Sequence, residues 1–236
     1  MTLKTMVVKM PTYRQTVVTY PNPTKRFLFV HIPRTAGRFL EENFKENGFE
    51  PEQVIWKSVD GIEIAHFHNE LYIKHFDDLG SIPHFTVVRN PIDRFFSCSI
   101  FLKRMYGDDI QEAMEDPIMF GTMIENFPLP DIHTTPSWLR PQSDFLTEDT
   151  HIWRFEDGFK EEFGEWMSEI LGVPFTVSDV PYKKLTTDET NKLTRSAKLI
   201  DNIRQFWRED IEQFYPELAA SLQEGAETKA ETTGTP

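Results

Sequence analysis

A chain of 236 residues is long enough to bury a full core, and it is expected to form one α/β domain with short appendages. Its net charge of −13 argues against a general nucleic-acid binder, because neutralising a phosphate backbone needs clustered Lys and Arg. No apolar run reaches the 18 residues of a membrane span, and the N-terminus lacks the apolar core of a signal peptide.

The single cysteine, Cys98, excludes an intrachain disulfide and fits a reducing compartment, so a cytoplasmic protein is expected. Charge is unevenly spread. Residues 1–104 hold 14 Lys and Arg against 11 Asp and Glu, whereas residues 105–236 hold 11 against 27. The basic groups gather in the half that also carries the most informative stretch.

Residues 1–24 read as an N-terminal extension, with T-V-V-T-Y suggesting a short strand and P-N-P a turn. The domain proper is expected over 25–220. Phe27 to Ile32 is a run of bulky, mostly apolar residues ended by Pro33, as suits a strand buried on both faces of a parallel sheet. From Thr35 the spacing becomes helical through Phe39, Leu40 and Phe44, with Gly48 as the stop. Strand, short loop with a Gly and two Arg, then helix is an arrangement that aims backbone N–H groups and a positive helix end at an anion. The loop is not a nucleoside-triphosphate P-loop, since Gly37 stands alone with no Gly-Lys-Ser/Thr after it.

Further on, Gln53–Val59 is a candidate strand, Glu70–Leu79 a candidate helix and Ile82–Val88 a third apolar run. In R-N-P-I-D-R-F-F-S, Asn90 can cap a helix, Pro91 suits its first position and Asp93 completes a pattern like a capping box; the helix is expected to reach Tyr106. Asp116 to Phe127 reads as helical, and the Pro-rich stretch after it as a lid or cleft wall in which Trp138 and Arg140 are candidates for touching an acceptor, with a core plug as the alternative role of Trp138. A last strand over His151–Phe155 and an amphipathic helix over Glu161–Leu171, stopped by Gly172 and Pro174, follow. Thr186 and Glu189 give a capping-box signal for a final helical region ending near Tyr215, and 221–236 reads as a disordered tail.

Two of these stretches together resemble one family. H-I-P-R-T-A-G-R-F-L is similar to the P-K-T-A-G-T-S loop of sulfotransferases, which binds the 5′-phosphosulfate of 3′-phosphoadenosine 5′-phosphosulfate (PAPS). V-V-R-N-P-I-D-R-F-F-S resembles the V-I-R-D-P-I-E-R-L-x-S segment with which that family holds the 3′-phosphate. Fainter likeness extends over about residues 25–215, including A-H-F-H, similar to the base-carrying segment of glycan-type members, and W-L-R-P-Q-S-D-F-L.

The resemblance implies a three-layer α/β fold, a parallel sheet flanked by helices, related to P-loop nucleotide kinases. It implies that Arg34, Thr35, Ala36, Gly37 and Arg38 cradle the phosphosulfate, that Arg89 and Ser97 hold the 3′-phosphate, and that Arg34 stabilises the leaving phosphate. His66, and after it His68, is the expected base for a hydroxyl acceptor, a carbohydrate or glycoconjugate. Arg34 stands where the family has Lys, and Arg38-Phe39 where it has Thr-Ser. These departures keep open a catalytically degenerate nucleotide-binding protein, with a small-molecule or nucleotide kinase as a further alternative. No metal is expected: His66, His68 and His75 lack carboxylate or cysteine partners at ligand spacing.

Overall fold

The computed structural model describes residues 17–19, 26–51, 58–59, 62–63, 69–70, 82–126, 139–179 and 192–220. Its strands are β1 (Val17–Thr19), β2 (Arg26–Val30), β3 (Glu50–Pro51), β4 (Ser58–Val59), β5 (Ile62–Glu63), β6 (His84–Val88) and β7 (Thr150–Arg154). Its helices are α1 (Gly37–Glu46), α2 (Pro91–Tyr106), α3 (Ile110–Glu115), α4 (Pro117–Asn126), α5 (Glu161–Leu171), α6 (Ala197–Phe206) and α7 (Arg208–Phe214).

The main sheet has the order β3-β1-β2-β6-β7. β2, β6 and β7 are parallel, with Val30 opposite Thr86 and Val88 opposite Arg154. The expected parallel sheet is therefore present, but it is mixed: β1 runs antiparallel to β2, and β3 antiparallel to β1. Strand pairings of two or three residues carry too little periodicity to be read from sequence. β4 and β5 form a separate antiparallel pair; Ser58–Val59 ends the expected Gln53–Val59 strand, and 53–57 lie outside the described residues.

Alternation along β2 explains the layers. Phe27 and Phe29 face one side with Leu40 and Phe44 of α1, and with Phe163, Met167 and Leu171 of α5. Leu28 and Val30 face the other, against Phe214 and Tyr215. Burial on both faces is what a central strand in an α/β sheet requires. Phe29 stacks on Phe85 at 5.2 Å and meets Phe44 edge-on at 5.6 Å; such pairs add about 0.5–1.5 kcal/mol each to the burial of their area. A third cluster joins α2, α3, α4 and α6 around Phe95, Phe120 and Trp207.

Several local expectations match the structure. α1 ends before Gly48, which takes the positive φ of 75° that stops a helix cheaply only as glycine. α2 covers Pro91–Tyr106 and α5 covers Glu161–Leu171. The final helical region, by contrast, starts later than the Thr186 and Glu189 signal placed it: 192–196 are not helical, Ser196 Oγ caps α6 by accepting the Leu199 N–H, and the region breaks at Trp207 into α6 and α7. Thr186, Glu189, the helix expected over 71–79 and the 221–236 tail lie outside the described residues. No helix among the described residues is long and apolar enough to cross a membrane.

Candidate functional site

The loop between β2 and α1 sits at the carboxyl end of the parallel strands, where α/β sheets place their ligands. Its backbone is unusual. Arg34 and Ala36 both have positive φ, 71° and 74°, a region that costs a non-glycine residue about 1–2 kcal/mol. Such single left-handed residues turn successive N–H groups inward and make an anion-binding concavity.

The strain is held from several sides. Thr35 is fully buried and its hydroxyl donates to the Ile32 carbonyl at 2.8 Å. Arg94, also buried, donates from Nε to the Pro33 carbonyl at 3.2 Å and from Nη1 to the Arg140 carbonyl at 2.7 Å. Arg89 Nη1 donates to the Arg34 carbonyl at 3.3 Å.

Gly37 opens α1 against the ring of His31. A Cβ at this position would stand 1.9 Å from His31 Nε2, so only glycine fits while the imidazole stays stacked on Phe29, 5.5 Å away. The helix begins without the usual devices. Ala36 offers no side-chain cap, and the first turn holds no acidic residue. The positive end of the helix dipole therefore has no acidic side chain against it in the first turn, which suits an anion.

The second motif comes to the same place. Asn90 Oδ1 accepts from the N–H groups of Ile92 and Asp93, which starts α2 and brings Ser97 round its second turn. Ser97 Oγ accepts from Arg34 Nε at 2.9 Å, so residues 63 positions apart are joined. The guanidinium of Arg34 lies 5.7 Å from the ring centre of Phe101, and that of Arg89 lies 4.4 Å from Phe155. Arg38 is exposed on α1. Among the described residues no carboxylate pairs with Arg34, Arg38 or Arg89, and Arg89 Nε is buried without a hydrogen-bond partner. Burial, with repulsion from Arg89 and Arg38 added, pulls the Arg34 guanidinium below its ordinary pKa. It stays charged at any working pH, and an added anion would offset both costs.

Most of the expected site residues have a location. Arg34 is joined to Ser97 and to Arg89 by hydrogen bonds, and Ala36, Gly37 and the exposed Arg38 follow Arg34 in the same loop and first turn. Thr35 contributes its backbone only, because its hydroxyl proton is directed inward to Ile32. His66, His68 and Trp138 lie outside the described residues. Arg140 is engaged by Asp144 at 3.0 Å, so its charge is already paired rather than offered to an acceptor. The capping box differs from its sequence form: Asp93 turns to Arg195, and Glu156 takes the Asn90 N–H at 2.9 Å.

Residues not anticipated as important also converge here. Gln142 grips the main chain of Arg89, and Asp210 grips that of Gln142. A groove of about 810 Å³ lies between α1 and α5, lined by Phe39, Phe159, Lys160, Phe175 and their neighbours. Phe39 packs on Phe159 at 5.2 Å and so belongs to this groove rather than to the cationic concavity. No protein-family model, curated protein or solved structure matches the chain.

Proposed function

We propose that this protein is a cytoplasmic PAPS-dependent sulfotransferase, built on the sulfotransferase variant of the P-loop nucleotide-kinase fold, that sulfates a hydroxyl of a carbohydrate or glycoconjugate. One observation carries the reading. The strained Arg34–Arg38 loop and the Arg89–Ser97 segment meet through the bond from Arg34 Nε to Ser97 Oγ, and the three guanidiniums there have no carboxylate partner among the described residues. A ligand with two separated anionic groups suits such a pair of basic elements.

PAPS, when bound, supplies the sulfuryl group, whose sulfur–oxygen bond to phosphate breaks as the acceptor oxygen bonds to sulfur. The residues of the chain hold and neutralise. The α1 N–H groups and Arg34 bind the phosphosulfate end, where negative charge grows on the leaving phosphate; fixed donors of this kind act without reorganising. Arg89, with Ser97, binds the 3′-phosphate. The acceptor proton passes to His66, the favoured base, or to His68.

A second reading, binding of the nucleotide without turnover, is favoured by two features of the loop. The Thr35 hydroxyl is committed to Ile32, and Phe39 is packed on Phe159 in place of a hydroxyl residue. A kinase is disfavoured by the absence of a lysine in the loop.

Thermal unfolding tests the assignment. 3′-Phosphoadenosine 5′-phosphate should raise Tm while AMP and ATP do little, since a ligand at 100 times its Kd adds about 2.7 kcal/mol to native stability. Equal stabilisation by all three sinks the assignment. Turnover of PAPS with a generic acceptor then separates the enzyme from the binding protein.

A further inference from the structure

Gln142 lies in the segment between α4 and β7 and is fully buried. A buried primary amide has to spend its donors and its acceptor. Gln142 spends them on one residue: Oε1 accepts the Arg89 N–H at 2.8 Å, and Nε2 donates to the Arg89 carbonyl at 2.8 Å. That is the pair of bonds a neighbouring strand would make. It is made one residue past the end of β6, where pairing with β2 has stopped at Thr86 and pairing with β7 at Val88.

Gln142 is itself held. Asp210 of α7 is fully buried, and its Oδ2 accepts the Gln142 N–H at 2.7 Å while Oδ1 accepts the Ser143 N–H at 2.9 Å. Arg94 ties the same segment to the anion loop through the carbonyls of Arg140 and Pro33. On the far side, Glu156 takes the N–H of the next residue, Asn90. The main chain at Arg89 is therefore clamped, and its long side chain projects from a fixed Cα across the face of Phe155.

We propose that Gln142, with Asp210 behind it, is a positioning residue for Arg89 that sets the protein's preference for a ligand carrying a second phosphate. The inference rests on the reading of Arg89 as a phosphate ligand. Neither Gln142 nor Asp210 needs to touch the anion. They act through the backbone, because two parallel guanidinium–phosphate bonds tolerate little displacement of the Cα from which the side chain springs.

The test is calorimetric binding of 3′-phosphoadenosine 5′-phosphate and of AMP to wild type, Gln142→Met, Arg89→Ala and the double variant. Gln142→Met is expected to weaken the bisphosphate about tenfold and to leave AMP unchanged, as fits partial loss of a charge-assisted contact. The double variant should bind no more weakly than Arg89→Ala alone, since both changes remove one interaction. A folded Gln142→Met protein that keeps its preference, or a double variant whose losses add, overturns the proposal. Should Gln142→Met fail to fold, Gln142→Asn keeps a neutral amide but shortens its reach by one methylene, so that it cannot make both bonds to the Arg89 main chain from the same position; its preference should fall in the same direction, and an unchanged preference overturns the proposal. Equal binding of bisphosphate and AMP by wild type is a different failure: it removes the phosphate reading of Arg89, and this inference with it.

Discussion

The two helices that meet at the site begin in opposite ways. α2 is finished at its start: Asn90 accepts two first-turn N–H groups, Pro91 removes a donor, and Asp93 sits in the first turn of the helix. α1 is unfinished. Ala36 caps nothing, its φ is left-handed, no carboxylate lies in the first turn, and Arg34 and Arg38 bring positive charge to an end that is already positive. Cations there are unfavourable by about 0.3–1 kcal/mol each. The start of α2 is thus completed by its own side chains, whereas the start of α1 has neither a side-chain cap nor a first-turn acid, which on the proposed function is where an anion would offset the cost.

The comparison breaks most visibly at Arg34. Arg34→Ala is expected to lower turnover by about 10²–10³-fold, as loss of an electrostatic stabiliser does, with a smaller loss of nucleotide affinity; Arg34→Lys should keep most of the rate. Kinetics with separate binding measurements check this. An unchanged rate would make the loop structural and return α1 to the ordinary class of helix starts.

Next in size is Gly37→Ala. The added Cβ meets His31, and pushing the ring from its stack is expected to cost about 1–3 kcal/mol of unfolding free energy in denaturant titration. Anion binding should fall as well, because the same movement displaces the first-turn N–H groups. A stability loss without a binding loss would show that the glycine serves packing alone.

The smallest effect sharpens the contrast from the other side. Asn90→Ala should destabilise the fold by about 1 kcal/mol through the lost cap. The preference for the bisphosphate over AMP should remain, because the Asn90 side chain serves α2 and not the ligand. Altered preference would mean that the two helix starts are not separate in role.

What could be read from the sequence follows the range of the interactions. β2, α1 with its Gly48 stop, the Asn90 cap and α5 are specified by residues within a turn of one another, and they lie where the pattern put them. The parallel core was legible through its continuous apolar runs, and T-V-V-T-Y marked β1, but the antiparallel pairing of β1 and the two-residue β3 were not legible. At the site, the arginines and Ser97 were nameable because each lies in a short motif. Gln142 and Asp210 were not, since a buried glutamine or aspartate looks like any polar residue until its partners, 53 and 68 positions away, are known. Glu156 replacing Asp93 in the capping box has the same cause, a separation of 66 residues.

The clamp by Asp210 also bears on how the protein comes into being. The anion loop is made early in synthesis, yet the carboxylate that fixes its surroundings belongs to α7, close to the end of the described chain. At roughly 5–20 residues per second, a ribosome needs on the order of ten to thirty seconds to travel from the loop to that helix. For all of that interval Gln142, which grips the main chain of Arg89, lacks the carboxylate that holds it. The main chain of Arg89 can take its clamped position only once α7 has been made, so this clamp is a late event in folding.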